Sequence, residues 1–183
     1  KTVCRHGTAY TEFETEYAGI RARALYYVPM GAAHEVWRLT VENTGAAPRR
    51  VSAFGYCELS NESNYEQDLV NLQYTQFISR TEFAGDYLLQ HINEFWHAGP
   101  DGTNGNERFF GMTGEPVTSH TGRRESFLGR RRFNAPQALA DGALDGKPCY
   151  NGNPCGALHA ALSLAPGEAR TLVFLLGQKN GAE

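Results

Sequence analysis

Cysteine and methionine are scarce in this chain of 183 residues, and long apolar runs are absent. The four cysteines, Cys4, Cys57, Cys149 and Cys155, form no CxxC pair, and no His-x-x-x-His lies near them to complete a zinc site. We therefore expect four free thiols in a reducing, cytoplasmic compartment, with no metal and no other cofactor. The mean hydropathy is -0.46, and without a run of about 18 apolar residues no membrane span is predicted.

An excess of charge of either sign is also missing. Seventeen basic residues stand against 20 acidic ones, for a net charge of -3, so no whole-chain field attracts nucleic acid or an anionic membrane. Hydrophobic residues at 41% and charged residues at 20% are typical of a globular domain. We expect residues 1–183 to form one domain. Since the chain has no initiator methionine and no apolar signal region, we interpret it as a piece of a longer protein.

What the sequence does contain is a series of short segments that alternate between polar and apolar residues, separated by Gly, Pro and Asn turns. No segment sustains a 3.6-residue period, so the pattern predicts an all-β, antiparallel β-sandwich with little helix. The predicted strands are residues 8–17, 20–28, 36–41, 50–59, 70–83, 86–92, 107–112, 157–164 and 169–176. The predicted core comprises Trp37, Leu39, Val41, Val51, Phe54, Phe77, Leu172 and Phe174. Residues 122–156 are predicted to be a long functional or disordered loop with little regular structure.

The densest group of polar and aromatic side chains follows the fourth predicted strand, in loop 60–68. Amide, carboxylate and aromatic groups together suit a sugar, whose hydroxyls need hydrogen bonds and whose C–H face stacks on a ring. The candidate sugar-binding residues are Asn61, Asn64, Tyr65, Glu66 and Gln67. The alternative is a solvated connecting loop. Because catalytic carboxylates are usually held on rigid elements facing a cleft, no catalytic residue is assigned here.

A basic segment near residue 124 offers a second candidate site. Its guanidinium groups could bind phosphate or carboxylate, or could form a structural network of ion pairs. Since Glu125 lies within the segment and no Gly-rich phosphate cradle adjoins it, we favour an interface or structural role for Arg123, Arg124 and Glu125. The six histidines are scattered, and none lies beside Ser or Cys in a recognisable nucleophile setting.

Several motifs in fixed order resemble one enzyme family along nearly the whole chain. They are Arg5-His6-Gly7 leading into Tyr10-Thr11, Tyr27-Val28-Pro29, Glu35-Val36-Trp37-Arg38-Leu39, Thr40-Val41-Glu42-Asn43-Thr44, Asn64-Tyr65-Glu66-Gln67-Asp68, Arg124-Glu125-Ser126-Phe127-Leu128-Gly129 and Leu164-Ala165-Pro166-Gly167-Glu168. This set resembles the amino-terminal domain of cellobiose and cellodextrin phosphorylases, the inverting glycoside phosphorylases of glycoside hydrolase family 94. The form of residues 64–68 and 71–74 is more similar to cellodextrin phosphorylases.

The resemblance implies a galactose-mutarotase-like supersandwich, here without its first strands, that precedes a helical linker and an (α/α)6 barrel. The barrel carries the general acid and the phosphate site, so this domain alone is expected to be inactive. The resemblance also implies a cytoplasmic homodimer that takes oligosaccharide and inorganic phosphate. In such a dimer the domain contributes to the subunit contact, and one of its loops reaches the neighbouring subunit's sugar site.

Two other functions remain open from the sequence. A free-standing carbohydrate-binding module should have a signal peptide and a groove lined by exposed aromatic residues. A mutarotase or epimerase should present a His and a Glu facing each other inside the sandwich.

Overall fold

The structure is a computed structural model, and it describes residues 2–59, 70, 76–77, 79–92, 106–130 and 133–180. The strands are β1 (Thr2–His6), β2 (Tyr10–Tyr17), β3 (Ile20–Tyr27), β4 (His34–Asn43), β5 (Arg49–Glu58), β6 (Ser79–Phe83), β7 (Tyr87–Ile92), β8 (Asn106–Thr113), β9 (Ser119–Arg123), β10 (Cys149–Tyr150), β11 (Pro154–Leu164) and β12 (Ala169–Asn180). Two helices lie wholly within the described ranges, α1 (Arg124–Leu128) and α2 (Gln137–Asp141). No helix within these ranges combines the length and the apolar character needed to cross a membrane.

Two antiparallel sheets contain all of these strands. The larger has nine strands in the order β1-β2-β3-β4-β12-β8-β7-β6-β10, and the smaller has three in the order β5-β11-β9. Strands β1 to β4 form an antiparallel meander in which each strand pairs with the next. β12 lies between β4 and β8 and pairs with both. The predicted antiparallel β-sandwich is confirmed.

The main core lies between the two sheets. From the predicted set, Val41, Leu172 and Phe174 are at most 3% exposed. Four others are partly buried: Trp37, Leu39 and Val51 pack against the main core, and Phe54 packs against a second cluster on the far side of the smaller sheet.

Phe77 was wrongly predicted to be in the core, because it is 70% exposed. The predicted strand 70–83 begins only at Ser79, and Val70, Gln76 and Phe77 are helical instead. The register gives the physical reason. Ser79 pairs with Ile92, and among the described residues the β6–β7 ladder ends at this pair, so Gln76 and Phe77 lie outside it.

The sheets approach closely where β5 and β11 carry glycines. A Cβ atom at Gly55 would collide with the ring of Phe174, and one at Gly156 would lie 2.8 Å from Phe110 Cβ and 2.9 Å from Cys57 Sγ. Neither glycine has a positive φ, so space rather than backbone conformation requires glycine at these positions.

The far face of the smaller sheet is covered by α1 and α2. Phe127, Leu128 and Ala138 pack there against Cys155 and Ala157. The prediction that residues 122–156 have little regular structure was therefore wrong. Each of the two helices has only five residues, too few to show a helical period, and β11 begins three residues earlier than predicted.

All four cysteines are free. Cys4 is exposed, whereas Cys57, Cys149 and Cys155 are buried. Burial raises the pKa of the Cys57 thiol to about 12, so this thiol stays protonated at neutral pH and acts as a small apolar side chain.

We predict that Gly55→Ala destabilises the fold by about 1–3 kcal/mol, because the added methyl group forces the Phe174 ring out of its position. The free energy of unfolding in urea measures this. Gly152→Ala is the matched control, since its Cβ would meet its nearest neighbour only at 3.4 Å. Equal stability of the two variants would show that the sheets can move apart at no cost.

Candidate functional site

The residues predicted to contact sugar, Asn61, Asn64, Tyr65, Glu66 and Gln67, lie outside the described residues. The structure does describe the strand from which their loop departs. Leu59, directly after β5, is 7% exposed, and the preceding Glu58 lies at the end of the β5–β11 ladder, opposite Cys155. The two residues directly before the loop are therefore fixed to the smaller sheet.

Glu58 is the centre of a small group of charged and aromatic side chains, which we name the β5-end cluster: Tyr56, Glu58, Arg124, Phe127 and Phe133. Arg124 Nε donates to Glu58 Oε1 at 2.6 Å, and the Tyr56 hydroxyl donates to the same oxygen at 2.8 Å. The Arg124 guanidinium lies 5.1 Å from the centre of the Phe133 ring. Tyr56 stacks on Phe127 with 4.1 Å between ring centres. The predicted residue Arg124 thus contacts the strand that leads into loop 60–68.

The electrostatics of the cluster keep its donors protonated. Burial, and then the hydrogen bond to Glu58, raise the pKa of Tyr56 well above its usual value. The hydrogen bond to Glu58 likewise raises the pKa of Arg124. The Arg124 and Glu58 side chains are 34% and 46% exposed, so this ion pair is partly screened by water. It holds the geometry of the strand end more than it stabilises the whole fold.

Glu125 connects α1, through Asn153, to Gln76, which follows loop 60–68 in the sequence. Asn153 Nδ2 donates to Glu125 Oε1 at 2.8 Å, and Gln76 Nε2 donates to Asn153 Oδ1 at 3.0 Å. The backbone N–H of Arg124 also donates to the Asn153 carbonyl at 3.1 Å. Arg123 has an exposed side chain. Glu58 before loop 60–68 and Gln76 after it are therefore both attached to α1, directly or through Asn153.

Arg124 and Glu125 were predicted from the sequence, whereas their partners Glu58, Tyr56, Phe133 and Asn153 were not. Arg124 and Glu58 are 66 residues apart in the chain. Only the order β5-β11-β9 brings them together, because β9 leads directly into α1. No local sequence signal reports that pairing.

The described part of the chain has few other groups that could bind a metal ion or act in catalysis. No cluster of three His, Cys, Asp or Glu side chains there could hold a metal ion. His91 lies between two carboxylates, with Nε2 2.5 Å from Glu82 Oε1 and Nδ1 2.7 Å from Glu107 Oε1. The alternation of β7 places His91 on the face of the larger sheet that points away from the smaller one. It is not the interior His–Glu pair expected of an epimerase.

Comparison with known proteins places this architecture in a family. The family model for the glycosyl hydrolase 94 supersandwich domain matches residues 1–183. The N,N'-diacetylchitobiose phosphorylase of Vibrio furnissii is 35% identical over 181 residues, which cover 97% of this chain and 21% of that protein. That of Vibrio proteolyticus is 32% identical over 195 residues, with 97% and 21% covered.

A solved polysaccharide lyase superposes with a TM-score of 0.52 at 16% identity, over 93% of this chain and 21% of that one, and this likeness shows the fold alone. The chain spans about a fifth of the length of the two Vibrio relatives. The resemblance drawn from the sequence motifs is confirmed by the match along the whole chain: this chain belongs to the glycosyl hydrolase 94 supersandwich domain family.

Proposed function

We propose that this chain is the non-catalytic amino-terminal domain of an inverting glycoside phosphorylase that acts on β-linked glucooligosaccharides. The parent enzyme converts a cellodextrin or cellobiose and inorganic phosphate into glucose 1-phosphate and a shortened sugar, without a cofactor. The observation that carries the proposal is the family match over residues 1–183, together with relatives that are named phosphorylases and are about five times as long.

The two Vibrio relatives favour a second candidate substrate. Both are named for N,N'-diacetylchitobiose, whereas the motifs in residues 64–68 and 71–74 favour cellodextrins. The two substrates differ in the group at C2 of the sugar, so a direct comparison of rates separates them.

Within the parent enzyme, we assign this domain two tasks in a cytoplasmic homodimer. It presents loop 60–68 to the sugar cleft of the neighbouring subunit, and its α1 region lies at the subunit contact or at the seam with the barrel. The attachment of both flanks of the loop to α1 supports this assignment, because binding groups act best when rigid elements hold them. Phosphorolysis itself requires a general acid and a bound phosphate held together, and we assign both to the remainder of the parent.

We predict that the full-length parent releases glucose 1-phosphate from cellobiose or cellotetraose in the presence of phosphate, and that the isolated 183-residue domain does not. A coupled assay for the sugar phosphate, run with N,N'-diacetylchitobiose in parallel, measures both. Faster turnover of N,N'-diacetylchitobiose would replace the cellodextrin assignment with the second candidate. Release of sugar phosphate by the domain alone would contradict its non-catalytic role.

We predict that Asn64→Ala, Tyr65→Ala and Gln67→Ala in the parent each weaken sugar binding by roughly two- to tenfold, because a neutral hydrogen bond contributes about 0.5–1.5 kcal/mol. The Michaelis constant for phosphate should stay nearly constant. Ser163→Ala is the control, since this exposed residue lies at the opposite end of β11 from Cys155 and Glu58. Unchanged sugar kinetics in all three variants would show that the loop is only a surface connection.

We predict that Arg124→Ala destabilises the parent by only about 0.2–1 kcal/mol, because an exposed ion pair contributes little to the free energy of unfolding. It should nevertheless reduce the dimer fraction in sedimentation. Glu58→Gln should have a similar effect, and the double variant should be little worse than either single one. Arg130→Ala, an exposed arginine near α1, is the control. Normal sedimentation and melting, with only the sugar Michaelis constant altered, would place Arg124 at the sugar instead.

A further inference from the structure

A groove of about 570 Å³ lies on the face of the larger sheet that points away from the smaller one. It is lined by Ala9, Tyr10, Glu12, Leu25, Tyr27 and Arg38. Its volume is within the range of about 300–1,000 Å³ that is typical of small-molecule sites. Because both sheets lie between this groove and the β5-end cluster, it is separate from the site described above.

The strand register arranges the groove in two rows. Tyr10 is paired with Tyr27 across β2 and β3, so their side chains leave the same face of the sheet from adjacent strands. The second row, two residues along the strands, contains Glu12, Leu25 and Arg38. Since neighbouring strands are about 4.8 Å apart, the backbones of Glu12 and Arg38 are separated by roughly 10 Å with Leu25 between them. An aromatic surface is therefore bordered by a carboxylate and a guanidinium.

The Tyr10 ring is held in place although 46% of the residue is exposed. It lies directly over Gly7, where an added Cβ would collide with the ring, and the Gly7 N–H donates to the Tyr10 carbonyl at 2.9 Å. The φ of Gly7 is not positive, so the glycine provides space for the ring rather than a special backbone conformation. An exposed ring with a fixed position is a suitable stacking surface.

Arg38 differs from the arginines of the neighbouring strands. Arg5, Arg21 and Arg23 on β1 and β3 are each paired with glutamates at 2.8–3.9 Å. The exposed Arg38 makes no ion pair or side-chain hydrogen bond within the described ranges. Its donors are therefore open to a ligand. Glu12 Oε1 accepts from Arg5 Nη1 at 2.8 Å, which orients the carboxylate, while Oε2 is 3.9 Å from Arg23 Nε.

We propose that this groove binds a pyranose ring of a neutral oligosaccharide, as an accessory site beyond the proposed function of the domain. The C–H face of the sugar stacks on Tyr10 and Tyr27. Glu12 accepts hydrogen bonds from the sugar hydroxyls, and Arg38 donates to them. A neutral sugar can use both groups, because its hydroxyls donate to the Glu12 carboxylate and accept from Arg38, and the paired glutamates and arginines beside the groove give no basic patch for nucleic acid.

Affinity electrophoresis in native gels tests the proposal, with barley mixed-linkage β-glucan or glycol chitin as the immobile probe. The parent enzyme and the 183-residue chain should both be retarded by at least one of the two polymers. Tyr10→Ala should weaken the retardation roughly five- to tenfold, because the stacking surface is lost. Gly7→Ala and Arg38→Ala should weaken it several-fold. Tyr17→Ala is the control, since Tyr17 is 83% exposed and lies on the opposite face of β2.

Melting curves establish that each variant is folded, and Tyr10→Phe should retain most of the retardation because it keeps the ring. Absence of retardation in the wild-type protein, or equal retardation of wild type and Tyr10→Ala, would overturn the proposal. So would self-association that Tyr10→Ala abolishes in sedimentation, because the groove would then be a protein contact. These outcomes do not depend on phosphorolysis, so the proposal and the proposed function fail separately.

Discussion

The burial of β11 on both of its faces is the constraint on which the rest of the structure depends. Leu158 and Ala160 face the larger sheet, while Cys155 and Ala157 face α1 and α2, and all four are fully buried. A strand in this position needs small or apolar side chains on both faces, and each hydrogen-bonding edge must be paired with a neighbour. β5 and β9 provide those neighbours. They thereby bring the end of β5 and the start of α1 to the same end of the smaller sheet.

The elements that could be predicted from the sequence are those in which charged and uncharged side chains alternate. β2 and β3 alternate clearly because Glu12, Glu14 and Arg23 are in contact with water while Ala22 and Ala24 face the opposite side. The start of β11 was missed because residues 154–159 are buried without interruption, which removes the alternation on which the prediction relied. The short helices were missed because their apolar residues are defined only by the sheet that they cover. The motifs identified the family, but the contacts between Arg124, Glu58 and Asn153 depend on long-range pairing.

Charge on the meander is arranged in ladders between neighbouring strands. Arg5 bridges Glu12 and Glu14, and Arg21 bridges Glu16 and Glu42. Each pair contributes little to stability at the surface, but the ladders keep the outer face of β1 to β3 polar. Within residues 2–180, β1 is the outermost strand of the larger sheet, and charged side chains in such a position oppose pairing with strands of other molecules. The same face can therefore carry an open groove at one end without promoting non-specific association with other proteins.

The position of β12 has a consequence for the order of events during synthesis. The last strand of the chain lies in the middle of the larger sheet, where Thr171 contacts Thr40 across 131 residues of sequence. Until β12 leaves the ribosome, β4 and β8 both expose a row of unpaired backbone groups, and the two halves of the larger sheet cannot join. Pairing between such distant segments slows folding and prolongs the exposure of aggregation-prone edges. The nascent domain therefore completes its larger sheet only after β12 has emerged, and it should tolerate truncation within β12 poorly.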